Sequence, residues 1–137
     1  MPLYIMIRQK TGVVLESLRL RNKDGIKAAS TLGFKGIQID ATQRDITPEN
    51  LSQTGRRELR RVIDLNRLEL CALGGELGTG FINENEFDFL INRIKAITNL
   101  ALDLQTNIIT VQIGSIPTET DSTHWHAVNT ALGEIGR

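Results

Sequence analysis

The 137-residue sequence carries one cysteine, six aromatic residues and no net charge, and each shortage excludes something. A lone Cys71 cannot close an intramolecular disulfide, and its neighbours Leu70, Ala72 and Leu73 predict a small buried hydrophobe rather than a reactive thiol. Sixteen basic residues cancel sixteen acidic ones, so no overall field draws the protein to nucleic acid, a membrane surface or acidic partners. No apolar run approaches the length of a membrane span. The Leu3–Ile7 stretch is too short for a secretion signal and is followed by Arg8 and Lys10 with no cleavage site, so a cytoplasmic protein is expected. Gly-x-Ser-x-Gly, His-Glu-x-x-His and Cys-x-x-Cys are all missing, which removes the common nucleophile, zinc-protease and redox classes.

What is present is a strand-then-helix rhythm that runs four times across one domain, 1–137, with 40% apolar residues, enough for a real core. Gly12-Val13-Val14-Leu15 reads as a short strand, and Asn22 to Leu32 as a helix stopped by Gly33. Gly36-Ile37-Gln38-Ile39-Asp40 is the second strand. Thr47-Pro48-Glu49 then supplies an N-cap, a first-turn proline and an acid for a helix of about five turns toward Asn66. Along that helix Leu59, Val62 and Ile63 make the apolar face, and Arg56, Arg57, Arg60 and Arg61 read as a solvated basic face rather than a nucleic-acid patch. Leu68–Leu73 is the third strand. Phe87, Leu90, Ile91, Ile94, Ile97, Ala101 and Leu104 form one continuous helical stripe that needs a sheet to pack on. Asn107–Ile113 is the fourth strand, and Asp121, Ser122 and Thr123 are candidate caps for a last helix carrying Val128, Ala131, Leu132 and Ile135.

Four βα units imply an α/β protein with parallel strands, because each connection is a right-handed crossover. Half of an eight-stranded barrel and a doubly wound sheet both satisfy that rule. Alternation favours the barrel. Ile37 and Ile39, like Ile109, Val111 and Ile113, would face helices, leaving Gln38, Asp40, Thr110 and Gln112 on the opposite surface, where a doubly wound sheet would be apolar.

The segments Gly12–Leu18, Leu32–Asp40, Thr54–Arg60 and Gln112–Pro117 resemble the N-terminal half of sugar phosphate isomerases and epimerases of the xylose-isomerase-like TIM-barrel family. That resemblance implies a (β/α)8 barrel of which this chain is the first four units. It also implies proton transfer next to a carbonyl on a sugar or sugar phosphate, assisted by a divalent metal (Mn, Mg, Zn or Co) held by glutamates, an aspartate and a histidine. The family's ligands come mainly from strands five to eight, so none is assigned to this chain, and the half chain alone is expected to be inactive. A non-catalytic binding or assembly module of the same fold is an alternative. An apurinic-endonuclease-like metal hydrolase is another, against which the neutral charge and few aromatic residues argue.

Barrel sites gather at the C-terminal ends of strands, which selects Glu16, Asp40, Arg44, Glu76, Gln112 and Ser115 for inspection. Asp40 could accept substrate hydroxyls, or cap the following loop, or pair with Arg44. Gln112 suits a polyol because it both donates and accepts, and it suits an internal polar network equally. Glu16 is a weaker candidate on the same grounds. The glycine-rich Gly74–Gly80 loop, with Glu76 inside it, lacks a P-loop ending and reads as a lid over the pocket. His124 and His126 flank Trp125 but would point roughly 200° apart on a helix, against a shared metal, while Trp125 could cover the pocket mouth or a partner surface. Four strands cut from a barrel would expose two edges and an inner face, so the chain is expected to be a fragment of a longer product or to pair with a second copy through those edges.

Overall fold

A computed structural model gives the architecture, and it describes residues 10–43, 45–75, 80–81 and 83–137. The elements follow the order β1 (Gly12–Val14), α1 (Asn22–Thr31), β2 (Gly36–Asp40), α2 (Gln53–Leu65), β3 (Glu69–Gly75), α3 (Phe87–Leu104), β4 (Ile109–Val111) and α4 (Thr123–Ile135). Single 3-10 turns sit at Leu15–Leu18 and Glu84–Glu86. The four strands form one parallel sheet in the order β1-β2-β3-β4. Sequential parallel order is the winding of a barrel, whereas a doubly wound sheet reverses direction at a switch point.

The helix side of the sheet is the core. Ile37, Ile39 and Leu73 are fully closed off beneath Ile97 and Leu100 of α3, with Ile26, Ala29, Leu59 and Ile63 from the first two helices completing the cluster. A second cluster joins α3 to α4 through Phe87, Leu90, Ile91, Ile94, Val128 and Ala131, with Phe81 buried against Phe87 edge to face at 5.2 Å. Every residue of the expected α3 stripe is buried, with Leu100 added to it.

α2 starts later than its proline signal predicts. Thr47 does cap a turn, its hydroxyl accepting from the Asn50 amide at 3.2 Å, and the Leu51 amide reaches Thr47 O at 3.0 Å. Ser52 then returns to extended backbone and caps the true helix by accepting from the Gly55 amide at 3.1 Å. Thr47-Pro48-Glu49 therefore caps one separate turn, and Ser52 opens α2.

Arg56 also departs from the solvated role. Its guanidinium is 13% exposed and donates to Pro48 O at 2.8 Å, to Leu51 O at 3.0 Å and to Asp103 of α3 at 2.6 Å. It ties the turn before α2 to α3. Arg57 is exposed as expected, Arg60 and Arg61 pair with neighbours on their own helix, and Arg61 holds Glu58 at about 2, well below the usual carboxylate range. Gly33 stops α1 at φ +91°, as its position after the helix predicts.

Candidate functional site

Alternation along the strands sends a second set of side chains to the face away from the helices. Gln38 and Thr110 meet there, the Gln38 amide donating to the Thr110 hydroxyl at 3.1 Å across β3. That bond passes over Gly74, which pairs laterally with Asp40 on one side and Thr110 on the other. A Cβ at Gly74 would stand 3.5 Å from Gln38 Nε2 and from the Asp40 Cα. A side chain here would fill the space between the two polar strands, so glycine keeps a hollow open at the sheet's C-terminal end.

The hollow is a cavity of about 370 Å³ lined by Val14, Glu16, Gln38, Asp40, Gln43, Gly74, Gly75, Thr110, Val111 and Gln112. Three of the residues singled out from sequence, Glu16, Asp40 and Gln112, converge on it. Gln38, Gln43, Gly74 and Thr110 were not among the site candidates. The strand alternation that put Gln38 and Thr110 on this face was the signal for them. Arg44 and Glu76 lie outside the described residues, as does most of the expected lid. Ser115 is exposed and does not line the cavity.

Glu16 occupies the turn that follows β1. Its Oε1 accepts from the Asp40 amide at 2.9 Å, bridging the ends of β1 and β2, while Oε2 is buried and has no hydrogen-bond partner among the described residues. An unsatisfied buried acceptor costs about 1–3 kcal/mol. Asp40 Oδ1 accepts from the Thr42 amide at 2.8 Å and the Thr42 hydroxyl at 2.6 Å. The loop-capping alternative for Asp40 is therefore realised, and it fixes the carboxyl at the cavity rim.

The far side of the mouth is anchored by glycine chemistry. Gly80 adopts φ +68°, and a Cβ there would lie 2.5 Å from the Ile113 carbonyl carbon. The next amide, of Phe81, donates to Ile113 O at 3.0 Å. The chain returning from β3 is thus strapped to the segment carrying Gln112.

Cys71 corrects its expected burial. The register slips between Ile37 and Gln38, so Ile37 faces Leu70 and Gln38 faces Ala72, leaving Cys71 without a partner. The slip turns the thiol onto the open face over Gly36 and Gly12, where the residue is exposed. Partial burial of the sulfur, followed by the charge of Glu69, still raises its pKa, which agrees with an unreactive thiol.

His124 leaves the cavity altogether. Its Nδ1 lies 3.0 Å from Glu84 Oε1 and its ring tilts against Phe87 at 6.2 Å, while His126 is exposed. Trp125 does not line the cavity. Among the described residues no group of three or more His, Cys, Asp or Glu is placed to hold a metal ion. Of the cavity's described lining only Glu16 and Asp40 are carboxylates and none is His or Cys, so these residues alone do not make up a divalent-metal site. Among the described residues no helix is long and apolar enough to cross a membrane.

A parallel β1-β2-β3-β4 sheet backed by crossover helices, with polar residues collected at its C-terminal mouth, has the fold of half a TIM barrel. The solved structures it matches say the same. A xylose isomerase domain protein from Planctomyces limnophilus superposes with a TM-score of 0.69 at 15% identity, over 80% of this chain and 42% of that one. A probable 3-DHS dehydratase involved in petrobactin synthesis in Bacillus anthracis gives 0.69 at 21% identity, over 93% and 47%. A sugar phosphate isomerase/epimerase from Parabacteroides distasonis gives 0.62 at 12% identity, over 93% and 46%. The chain spans under half the length of each. No family model and no curated protein matches the sequence.

Proposed function

We propose that this chain carries the hydroxyl-binding half of a sugar or sugar-phosphate isomerase/epimerase site, and that it binds ligand without turning it over alone. The observation that carries the reading is the convergence of Glu16, Gln38, Asp40, Thr110 and Gln112 on one cavity at the strand ends. Amides and hydroxyls that both donate and accept suit a polyol, and the strand ends are where barrel enzymes bind substrate. Gln38 and Thr110, already bonded to each other, orient one another, and the Glu16 bridge fixes the Asp40 backbone. Carbonyl activation by a divalent metal and the proton-transfer groups belong, in this reading, to strands that complete the barrel. No step of the chemistry is assigned to residues of this chain.

The test is an amide-resolved NMR titration of the full 137-residue chain with D-fructose and D-tagatose, alongside a polarimetric assay for ketose conversion with Mn²⁺ or Mg²⁺. Shifts confined to Glu16, Gln38, Asp40, Gly74, Thr110 and Gln112, with no conversion, are expected. Silence at those amides with ligand in large excess contradicts the reading.

A further inference from the structure

Asp40 is held from two directions. Its amide donates to Glu16 Oε1 at 2.9 Å, and its carboxyl oxygen Oδ1 accepts from both the amide and the hydroxyl of Thr42, at 2.8 Å and 2.6 Å. Closing the turn after β2 needs only the first of those Thr42 bonds. The hydroxyl adds a second donor to the same oxygen, and two donors occupy the lone-pair sites that one carboxylate oxygen offers. Oδ2 is the other half of the group. Among the described residues no donor reaches it, and it is not one of the buried unpartnered atoms, so it is open to solvent on a residue that lines the cavity. Thr42 itself does not line that cavity.

We infer that Thr42 is a positioning residue for the site: by engaging Oδ1 twice it fixes the Asp40 carboxylate in one orientation, with Oδ2 presented as the acceptor for a ligand hydroxyl. The inference rests on the sugar-site reading above and deepens it, naming the atom that takes a hydroxyl and the residue that holds that atom in place. A carboxylate free to turn about its side-chain bonds must be immobilised when ligand binds, and that ordering subtracts from affinity. The Asp40 carboxylate is pinned through its backbone by Glu16 and at Oδ1 by Thr42, so this freedom is lost before a ligand arrives. A binding group whose rotamer is locked by a supporting residue is preorganised in just this sense. The bonding also separates the two oxygens. Oδ1 has its lone pairs engaged, so a ligand hydroxyl, which brings the proton, is directed to Oδ2.

The experiment measures D-fructose affinity by NMR titration of the full chain for the wild type, Thr42→Val, Thr42→Ser, Asp40→Ala and the Asp40→Ala/Thr42→Val double variant, with circular dichroism to follow the fold. Thr42→Val keeps the shape and the amide bond but removes the hydroxyl, and it is expected to weaken fructose about fivefold. Thr42→Ser keeps the hydroxyl and is expected to bind as the wild type does. Asp40→Ala is expected to weaken fructose about tenfold, and adding Thr42→Val to it should then change nothing, because the group that Thr42 positions is gone. Unchanged binding by Thr42→Val overturns the inference: Thr42 then only closes the turn, and the sugar-site reading stands. Equal weakening by Thr42→Val with and without the Asp40 carboxylate also overturns it, since Thr42 would then act by another route, and so does unchanged binding by Asp40→Ala. If Thr42→Val does not fold, Thr42→Ala takes its place with the same expectation, and loss of the fold in both overturns the inference because the hydroxyl then serves the scaffold. Absence of shifts in the wild type overturns the sugar-site reading and this inference with it.

Discussion

On the helix side of the sheet, Ile37, Ile39 and Leu73 have no exposed surface and pack beneath Ile97 and Leu100. On the other side of the same strands Val14 is 45% exposed, Cys71 and Thr110 are exposed, and Gln38 spans the surface to reach Thr110. The difference arises from a period of two residues applied to one set of strands. The closed face supplies stability through area and shape. The open face is held by a few directional bonds and by glycines that keep space, which is how a binding surface is built on a scaffold stabilised elsewhere.

That contrast is broken most severely from the closed side. Ile39→Ala removes a fully buried side chain and is expected to cost about 2–5 kcal/mol, read as a lower urea midpoint. Gln38→Ala, one residue away on the open face, is expected to cost under about 1 kcal/mol. Comparable losses at the two positions would erase the distinction.

Arg56→Ala comes next, because its guanidinium serves Pro48 O, Leu51 O and Asp103 together. Loss of the two carbonyl bonds is expected to cost about 1–3 kcal/mol at any pH. The Asp103 part depends on pH. The Arg56 hydrogen bond, followed by one from Gln53, holds Asp103 below its ordinary 3.8. A depressed folded-state pKa contributes stability above 3.8 that is lost as pH falls through the folded value. The gap in melting temperature between the wild type and Arg56→Ala should therefore be constant near neutrality and shrink below about pH 4. A gap that widens on acidification contradicts the pairing.

A smaller effect probes the register slip. A methyl at Gly36 would run into the Cys71 sulfur, so Gly36→Ala is expected to cost about 1–2 kcal/mol and most of that should return in a Gly36→Ala/Cys71→Ala double variant. Additive losses would mean that the thiol does not lie over Gly36.

The smallest change in stability should come from Gly74→Ala, whose methyl would make only ordinary contacts at 3.5 Å. Within about 0.5 kcal/mol of wild type is expected, together with weakened fructose binding in the NMR titration, because the hollow is partly filled. Undiminished binding would place the ligand elsewhere.

The fold was legible in the sequence wherever a period was long or clean. The α3 stripe, the alternating β2 and the Gly33 stop all stand where they were expected. Boundaries failed where two local signals competed. Thr47-Pro48-Glu49 and Ser52 are both sound N-caps, and only the tertiary anchoring of the intervening turn by Arg56 assigns α2 to the second. Cys71 was misplaced for a related reason. A one-residue slip reverses which face a strand residue occupies, and nothing local in Leu70-Cys71-Ala72 marks the slip. At the site, Glu16, Asp40 and Gln112 followed from their positions at strand ends. Gly74 belongs to β3 and not to the glycine-rich loop its sequence suggests, and the use of a missing side chain appears only when its neighbours across the sheet are known.

The most direct test of the two-faced sheet and its half-site is thiol labelling of Val14→Cys in a Cys71→Ala background, with and without D-fructose, beside Ile39→Cys as the closed-face control. Fast labelling at position 14, slowed in proportion to added fructose, and labelling at position 39 only under denaturant are the predicted results. Equal labelling at the two positions, or labelling at position 14 that fructose leaves unchanged, would contradict the account.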